Sequence, residues 1–149
     1  MEQAGIKQIE LELIIDAPRA HAWNCLINQL PEWWPIDFLC YPEGEKIKFE
    51  PFAGGRLYEE MPDGRSILWA HIYSIVPENS MDFIGYMTPS YGGPSMTMVH
   101  LSLTDVEQEG KTKFRMVDAI LGRIQDDHQA NLNEGWNYLF NSFKAYCEK

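Results

Sequence analysis

The sequence has few positively charged residues. Its 12 Lys and Arg stand against 22 Asp and Glu, which gives a formal net charge of −10 at pH 7. A protein that binds the phosphate backbone of nucleic acids or an anionic membrane surface needs the opposite balance, because both partners are negatively charged. The composition therefore argues against both classes of partner.

Cysteine is also scarce. Cys25, Cys40 and Cys147 are odd in number, far apart in the sequence and without a CxxC pair. Disulfide frameworks use even numbers of cysteines, and zinc sites use close pairs. The four histidines stand singly and lack metal-ligand spacing as well. The sequence therefore predicts reduced thiols packed as small apolar side chains, with no metal site and no cofactor.

Long apolar runs and common catalytic motifs are missing too. No stretch approaches the ~20 apolar residues that cross a bilayer, and the opening MEQAGIKQIE lacks the apolar segment of a signal peptide. The chain also has no GxSxG, HExxH, Walker or GxGxxG motif. We expect a cytoplasmic protein, monomeric or homodimeric, with no nucleotide-binding loop.

What the sequence does have is the composition of a folded domain. Its 149 residues are 45% hydrophobic and 13% aromatic, without linker, repeat or low-complexity segment. This predicts one domain over residues 1–149. Near the start, Ile9, Leu11, Leu13 and Ile15 alternate with polar residues, which is typical of a half-buried strand.

The order of the remaining segments predicts an α+β fold. Two short helical pieces follow the first strand, and a run of short segments separated by turn residues then brings the strands to about seven, in an antiparallel sheet. From Asp126 onward, apolar residues recur at helical spacing, which predicts one long amphipathic helix. A curved sheet wrapped around this helix would leave space between them for a ligand.

Four segments carry a resemblance to a known family: IIDAPRAHAWNCL, FEPFAGGRLYEEMPDGRSILWAHIYSIVP, GKTKFRMVDAILG and EGWNYLFNSFKAYCEK. Together they resemble the activator of Hsp90 ATPase homologue-like family, within the START-related (SRPBCC) helix-grip superfamily. The resemblance implies a helix-grip fold with a central cavity. Two features depart from the family pattern: Asp118 stands where the family often has His, and the loop TPSYGGP has more turn residues than usual.

Three functions remain open at this stage. The first is a module that holds a small hydrophobic or aromatic molecule between sheet and helix. The second is an enzyme of the cyclase or hydratase type, which we favour less. The third is a protein-interaction module, as the co-chaperone resemblance suggests. One fold supports many functions, so the fold does not choose among them.

Two acidic residues are candidates for catalysis. Strand alternation puts Glu59 on the same side as Leu57, and Asp118 on the same side as Met116. If those sides face the helix, both acids point into the predicted cavity. Each could act as a general acid or base, or orient a polar group of a ligand, or simply reach water or a neighbouring arginine.

The candidate ligand-binding residues are mostly aromatic. Aromatic side chains offer a large apolar surface to a flat ligand, although they also suit a plain core. We expect Trp136 to be largely buried against the sheet. The predicted set is Trp33, Trp34, Leu57, Tyr58, Glu59, Tyr86, Met116, Asp118, Asn133, Trp136 and Phe140.

Overall fold

The centre of the molecule is a seven-stranded sheet that is antiparallel throughout. The computed structural model describes residues 4–123 and 128–149, so Asp126 and the predicted start of the last helix lie outside the described residues. The spatial order of the strands is β1-β7-β6-β5-β4-β3-β2. The strands are β1 (Ala4–Ile15), β2 (Lys48–Phe49), β3 (Arg56–Glu60), β4 (Ser66–Val76), β5 (Ser80–Met87), β6 (Ser95–Asp105) and β7 (Thr112–Arg123).

Short turns connect most of the strands, as the turn residues predicted. Between β3 and β4, the backbone N–H of Met61 donates to the carbonyl of Arg65 at 2.7 Å. Gly64 in this turn has φ +97°, a conformation that glycine adopts without the steric penalty of a Cβ. The local sequence therefore fixes the hairpin and, with it, the register of β3 against β4.

Two irregularities bend the sheet. The pairing of β3 with β4 shifts between Leu57 and Tyr58, and the pairing of β4 with β5 shifts between Ile72 and Ser74. An extra residue in one strand increases the local twist and bends the strand. Both shifts involve β4, so the sheet bends at this strand.

The residues that the structure describes also form three α-helices, one π-helical turn and two 3-10 turns, at Ile36–Phe38 and Pro89–Tyr91. The α-helices and the π-helical turn are α1 (Arg19–Trp23), the π-helical turn Asn24–Asn28, α2 (Leu30–Trp33) and α3 (His128–Cys147). Pro31 lies in the first turn of α2, where its missing N–H costs no hydrogen bond, and Pro35 follows the end of α2. Within the described ranges, no helix is long and apolar enough to cross a membrane.

The core lies between the inner face of the sheet and α3. Phe114, Met116 and Phe143 are fully buried, and Phe140 is nearly so. Apolar residues at helical spacing on α3 thus meet alternate residues of β7, as the two periodicities predicted. The fold class expected from the sequence, a helix-grip arrangement of a curved antiparallel sheet and a long terminal helix, is confirmed.

Candidate functional site

A strap formed by residues 34–47 runs from α2 across the opening between α3 and β3. At α3, the Phe38 ring stacks on Tyr138 with centroids 5.4 Å apart, and the Tyr138 hydroxyl donates to Asp37 Oδ2 at 2.9 Å. This bond to the carboxylate raises the pKa of Tyr138. Within the strap, Trp34 Nε1 donates to the carbonyl of Phe38 at 3.0 Å. The strap therefore closes one side of the helix–sheet interior.

Glu59 on β3 holds the other end of the strap. Its carboxylate is 2% exposed and accepts hydrogen bonds from the backbone N–H groups of Cys40 and Tyr41, both at 2.9 Å. Trp69 Nε1 donates a third hydrogen bond at 2.6 Å. Burying a carboxylate is costly unless hydrogen bonds replace its water. Glu59 meets this requirement with donors from the strap and from β4.

Asp118 on β7 is the second buried acid and is completely inaccessible to solvent. Trp136 Nε1 on α3 donates to its Oδ2 at 2.8 Å, and the Thr97 hydroxyl on β6 donates to its Oδ1. Both candidate acids therefore lie on the inner face, as strand alternation predicted. Each accepts a hydrogen bond from the indole N–H of a tryptophan.

Between the two tryptophans, the inner face of the sheet carries small residues. Ala70 on β4 is paired with Gly85 on β5, and Gly85 is paired with Thr97 on β6. A Cβ atom placed on Gly85 would lie 2.8 Å from Thr97 Cγ2, so no larger residue fits there without a shift. We call Ala70, Gly85 and Thr97 the small-residue floor.

Half-buried aromatic side chains surround this floor. Trp69 and Trp34 meet edge to face on one side with centroids 5.5 Å apart, and Trp136 lies on the other side. Phe83, next to Gly85 on the inner face of β5, is also half-buried. Inward-facing aromatic side chains that keep contact with solvent are typical of a binding site, since a closed core would bury them.

The other end of the interior is closed by aromatic packing. The Phe114 ring lies 4.8 Å from Phe140 and 5.5 Å from Phe143, and Trp33 lies 5.6 Å from Phe143. Phe140 in turn stacks under Trp136 at 5.7 Å. These ring contacts fill the interior at this end, away from the small-residue floor.

The structure sorts the predicted ligand-binding residues into three groups. Trp33, Leu57, Met116 and Phe140 are core residues. The residues beside the floor are Trp34, Glu59, Asp118 and Trp136, and Trp136 is partly buried and packed against the core. The residues that do not face the interior are Tyr58, Tyr86 and Asn133.

These last three placements correct the expectation from sequence. Tyr58 and Tyr86 lie on the outer face of the sheet because they alternate with the inward Leu57 and Gly85. Tyr86 is 41% exposed and contacts His71 at 3.2 Å. Asn133 is exposed on α3. None of the three can line a site between the helix and the sheet.

The set predicted from sequence lacks five residues of this site: Trp69, Ala70, Phe83, Gly85 and Thr97. Thr97 shares the parity of Val99 and Leu101, so the alternation along β6 could have indicated it. Trp69 is different, because the register shift between β3 and β4 places it as an extra residue beside Ala70. Strict alternation does not predict such a position.

A separate cleft of about 420 Å³ lies at the junction of α1 with the turn between β4 and β5. It is away from the floor, so it is not the cavity expected between α3 and the sheet. That cavity stays a prediction. The cleft is lined by Ala20, Trp23, Asn24, Ile27, Asn28, Pro51, Ile75, Pro77 and Glu78.

The structure also brings together residues that the sequence separates widely. The side-chain ligand atoms of His21, Cys25 and Cys147 all lie within 4.8 Å of one another. Cys25 and Cys147, which are far apart in the sequence, are therefore close together in the fold, and both are buried free thiols. Cys40 is the exposed third thiol, whose pKa is raised by partial burial and by Glu59.

Comparison of the fold with solved structures finds close likeness at low sequence identity. A protein from Rhizobium leguminosarum shares 20% identity at a TM-score of 0.72, over 99% of this chain and 98% of that one. Mll3558 from Rhizobium loti shares 16% at a TM-score of 0.73, over 96% and 98%. SA2116 from Staphylococcus aureus shares 12% at a TM-score of 0.70, over 98% and 96%. These likenesses establish the fold.

The sequence itself matches no curated protein. A family model, described as Activator of Hsp90 ATPase homolog 1-like protein, does match residues 16–148. This range includes the strap, both buried acids and all of α3. The match agrees with the resemblance read from the sequence, and the chain belongs to the family of activator of Hsp90 ATPase homolog 1-like proteins.

Proposed function

We propose that this protein binds a small, mainly apolar molecule over the small-residue floor, between α3 and the strap. One observation carries the proposal: Ala70, Gly85 and Thr97 form a low surface between the half-buried rings of Trp69 and Trp136. Small side chains leave depth for a ligand, and flanking indole rings offer it flat apolar contact. The arrangement suits a planar ligand of modest size.

The charges of the site limit the kind of ligand. Glu59 and Asp118 lie at opposite sides of the floor, and the whole chain carries a net charge of −10. An anionic ligand would enter against this field, since like charges repel most strongly where water is excluded. A neutral or cationic molecule with an aromatic or alicyclic body fits better.

The hydrogen bonds of the two acids favour binding over catalysis. Both oxygens of Glu59 already accept N–H groups, and both oxygens of Asp118 accept donors. A general acid or base needs an oxygen within reach of the substrate proton. A substrate would first have to displace an indole or a backbone N–H. The cyclase or hydratase alternative therefore has less support than simple binding.

The strap gives the ligand a route to the floor. Its contacts with α3, through Phe38 and Tyr138, are at the surface, whereas its contacts with Glu59 are buried. Surface contacts of this kind contribute little free energy and open readily. We infer that the end of the strap at α3 opens to admit the ligand while the Glu59 end stays attached.

The test uses the neutral fluorescent probe N-phenyl-1-naphthylamine, titrated into the purified protein. Binding over the floor would increase probe fluorescence and quench tryptophan emission by energy transfer from Trp69 and Trp136. We expect Trp69→Ala and Trp136→Ala each to weaken probe binding about tenfold, a change of about 1.4 kcal/mol. Tyr86→Ala, which removes a half-exposed aromatic ring from the outer face, is the matched control and should bind normally.

Two results would overturn the proposal. One is probe affinity that remains unchanged in both tryptophan variants, with folding confirmed by circular dichroism. The other is an equal loss in Tyr86→Ala, which would place the probe on the outer face of the sheet. Native mass spectrometry of the purified wild-type protein adds an independent test, because a retained natural ligand would increase its mass and compete with the probe.

A further inference from the structure

Three potential metal ligands lie close together where α1 and the π-helical turn after it approach the end of α3. His21 and Cys25 are four residues apart, and the π-helical turn that contains Cys25 begins directly after α1. Cys147 is the last residue of α3. Residues four apart on a helix lie on the same side, so His21 and Cys25 can both face Cys147. Two parts of the chain that are distant in sequence therefore meet at one point.

One separation in this cluster already matches that of a tetrahedral zinc site, and the others are close to it. Cys25 Sγ lies 3.5 Å from His21 Nε2, and all three ligand atoms lie within 4.8 Å. Zinc bonds of about 2.3 Å to sulfur and about 2.0 Å to nitrogen place tetrahedral ligand atoms roughly 3.5–3.8 Å apart. One pair already has this distance, and small side-chain rotations would bring in the third atom.

The surroundings explain why an ion would be held here. Cys25 and Cys147 are 1% and 2% exposed, whereas His21 is exposed. Burial, together with the neighbouring Cys25, raises the pKa of the Cys147 thiol. A nucleophilic cysteine needs a stabilised thiolate, so the cluster does not resemble a Cys–His catalytic pair. A divalent cation would stabilise two buried thiolates directly.

We propose that His21, Cys25 and Cys147 form a Zn²⁺ site with a fourth position that faces solvent and takes a water molecule. Two thiolate ligands and one imidazole suit zinc, and three protein ligands leave one position open. On binding, each thiol releases one proton to the buffer and forms a sulfur–zinc bond, and no atom changes its oxidation state. This site is separate from the small-residue floor and does not depend on the proposed ligand.

Binding also requires a change at His21. Its Nε2 lies 3.1 Å from the carbonyl oxygen of Cys147, so a proton on Nε2 can make a hydrogen bond there. To bind zinc through Nε2, the imidazole carries its proton on Nδ1 and gives up this contact. The ion would then replace one weak contact by three ligand bonds that join α1 to α3. We therefore expect zinc to raise the thermal unfolding temperature.

Co²⁺ and Zn²⁺ are the probes, added to the metal-free protein with its thiols fully reduced. We expect one Co²⁺ per chain, with a thiolate-to-cobalt charge-transfer band in the near ultraviolet and tetrahedral bands in the visible. In weak buffer, Zn²⁺ should release about two protons per ion and abolish the cobalt bands. His21→Ala changes an exposed residue, so it should fold normally and lower Co²⁺ affinity at least about tenfold.

Two control variants decide whether the signal comes from this cluster. His100→Ala removes a half-exposed histidine from the outer face of the sheet, and Cys40→Ser removes the exposed thiol; neither should change the cobalt spectrum. A Co²⁺ affinity that is unchanged in His21→Ala, or cobalt bands that vanish in Cys40→Ser, would overturn the proposal. A reduced wild-type protein that gives no cobalt bands and releases no protons with Zn²⁺ would overturn it as well.

Discussion

The indole N–H of Trp136 on α3 donates a hydrogen bond of 2.8 Å to Asp118 on β7. This bond joins the helix to the centre of the sheet next to the small-residue floor. It also explains why Asp118 tolerates complete burial, because the acid accepts donors on both oxygens. Four testable predictions concern this pair, Glu59, Gly135 and Glu148.

Replacing Trp136 by Phe keeps much of the apolar surface and removes the N–H donor. Asp118 would then lose a hydrogen bond to a buried charged group, and we expect the free energy of unfolding to fall by about 1.5–3 kcal/mol. Denaturant melts would measure the change. Tyr138→Phe on the same helix removes a hydroxyl whose bond is at the surface, so it should unfold like the wild type. If Trp136→Phe leaves the free energy of unfolding unchanged, Asp118 does not need the hydrogen bond from the indole.

Glu59→Gln tests the attachment of the strap. The glutamine amide puts an NH₂ group against N–H donors, so at least one of the three hydrogen bonds is lost. We expect faster hydrogen exchange at the amides of Cys40 and Tyr41, measured by NMR. Glu60→Gln, at the exposed neighbouring position, should leave these amides protected. Unchanged protection in Glu59→Gln would show that other contacts hold the strap.

Gly135→Ala should stabilise the protein. Glycine inside a helix costs about 0.8–1 kcal/mol relative to alanine. A Cβ at this position would meet Phe38 Cζ at 4.0 Å, an ordinary contact distance. We expect a gain of about 0.5–1 kcal/mol in thermal or denaturant unfolding. Gly85→Ala, where the added Cβ is crowded by Thr97, should lose stability instead. A loss in Gly135→Ala would indicate that the strap packs against α3 more closely than this.

The pH dependence of stability should include a contribution from Glu148. Its carboxylate accepts hydrogen bonds from Lys144 at 2.6 Å and from the backbone N–H of Asp16 at 2.7 Å, which lower its pKa below the ordinary value of 4.5. A pKa lowered only in the folded state stabilises the fold above pH 4.5, and this contribution is lost as pH falls through the folded-state pKa.

The measurement is the difference in unfolding free energy between the wild type and Glu148→Gln as a function of pH. This difference should be largest near neutral pH and shrink in acid. Glu134→Gln, at an exposed position on the same helix, should show no such trend. A difference that stays constant with pH would mean that Glu148 acts through packing, independent of its charge.

The amino-acid sequence by itself determined the order and type of the elements. The alternation from Ile9 to Ile15 and the helical spacing on α3 indicate which faces are buried. Burial of apolar side chains is the main driving force of folding. Turn residues such as Gly64 fixed where hairpins close. Strand alternation also placed Glu59 and Asp118 on the inner face, because side-chain direction along a strand is local.

The tertiary structure alone decided what those residues contact. The Trp69 indole reaches Glu59 because a register shift adds a residue to β4, and the shift depends on how β3 pairs with it. Alternation along β3 did not predict that the strap would fold back onto Glu59. Cys25 and Cys147 meet because the π-helical turn that contains Cys25 packs against α3. Spacing in sequence reports only local geometry, whereas a site assembled from distant elements depends on the packing of the whole chain.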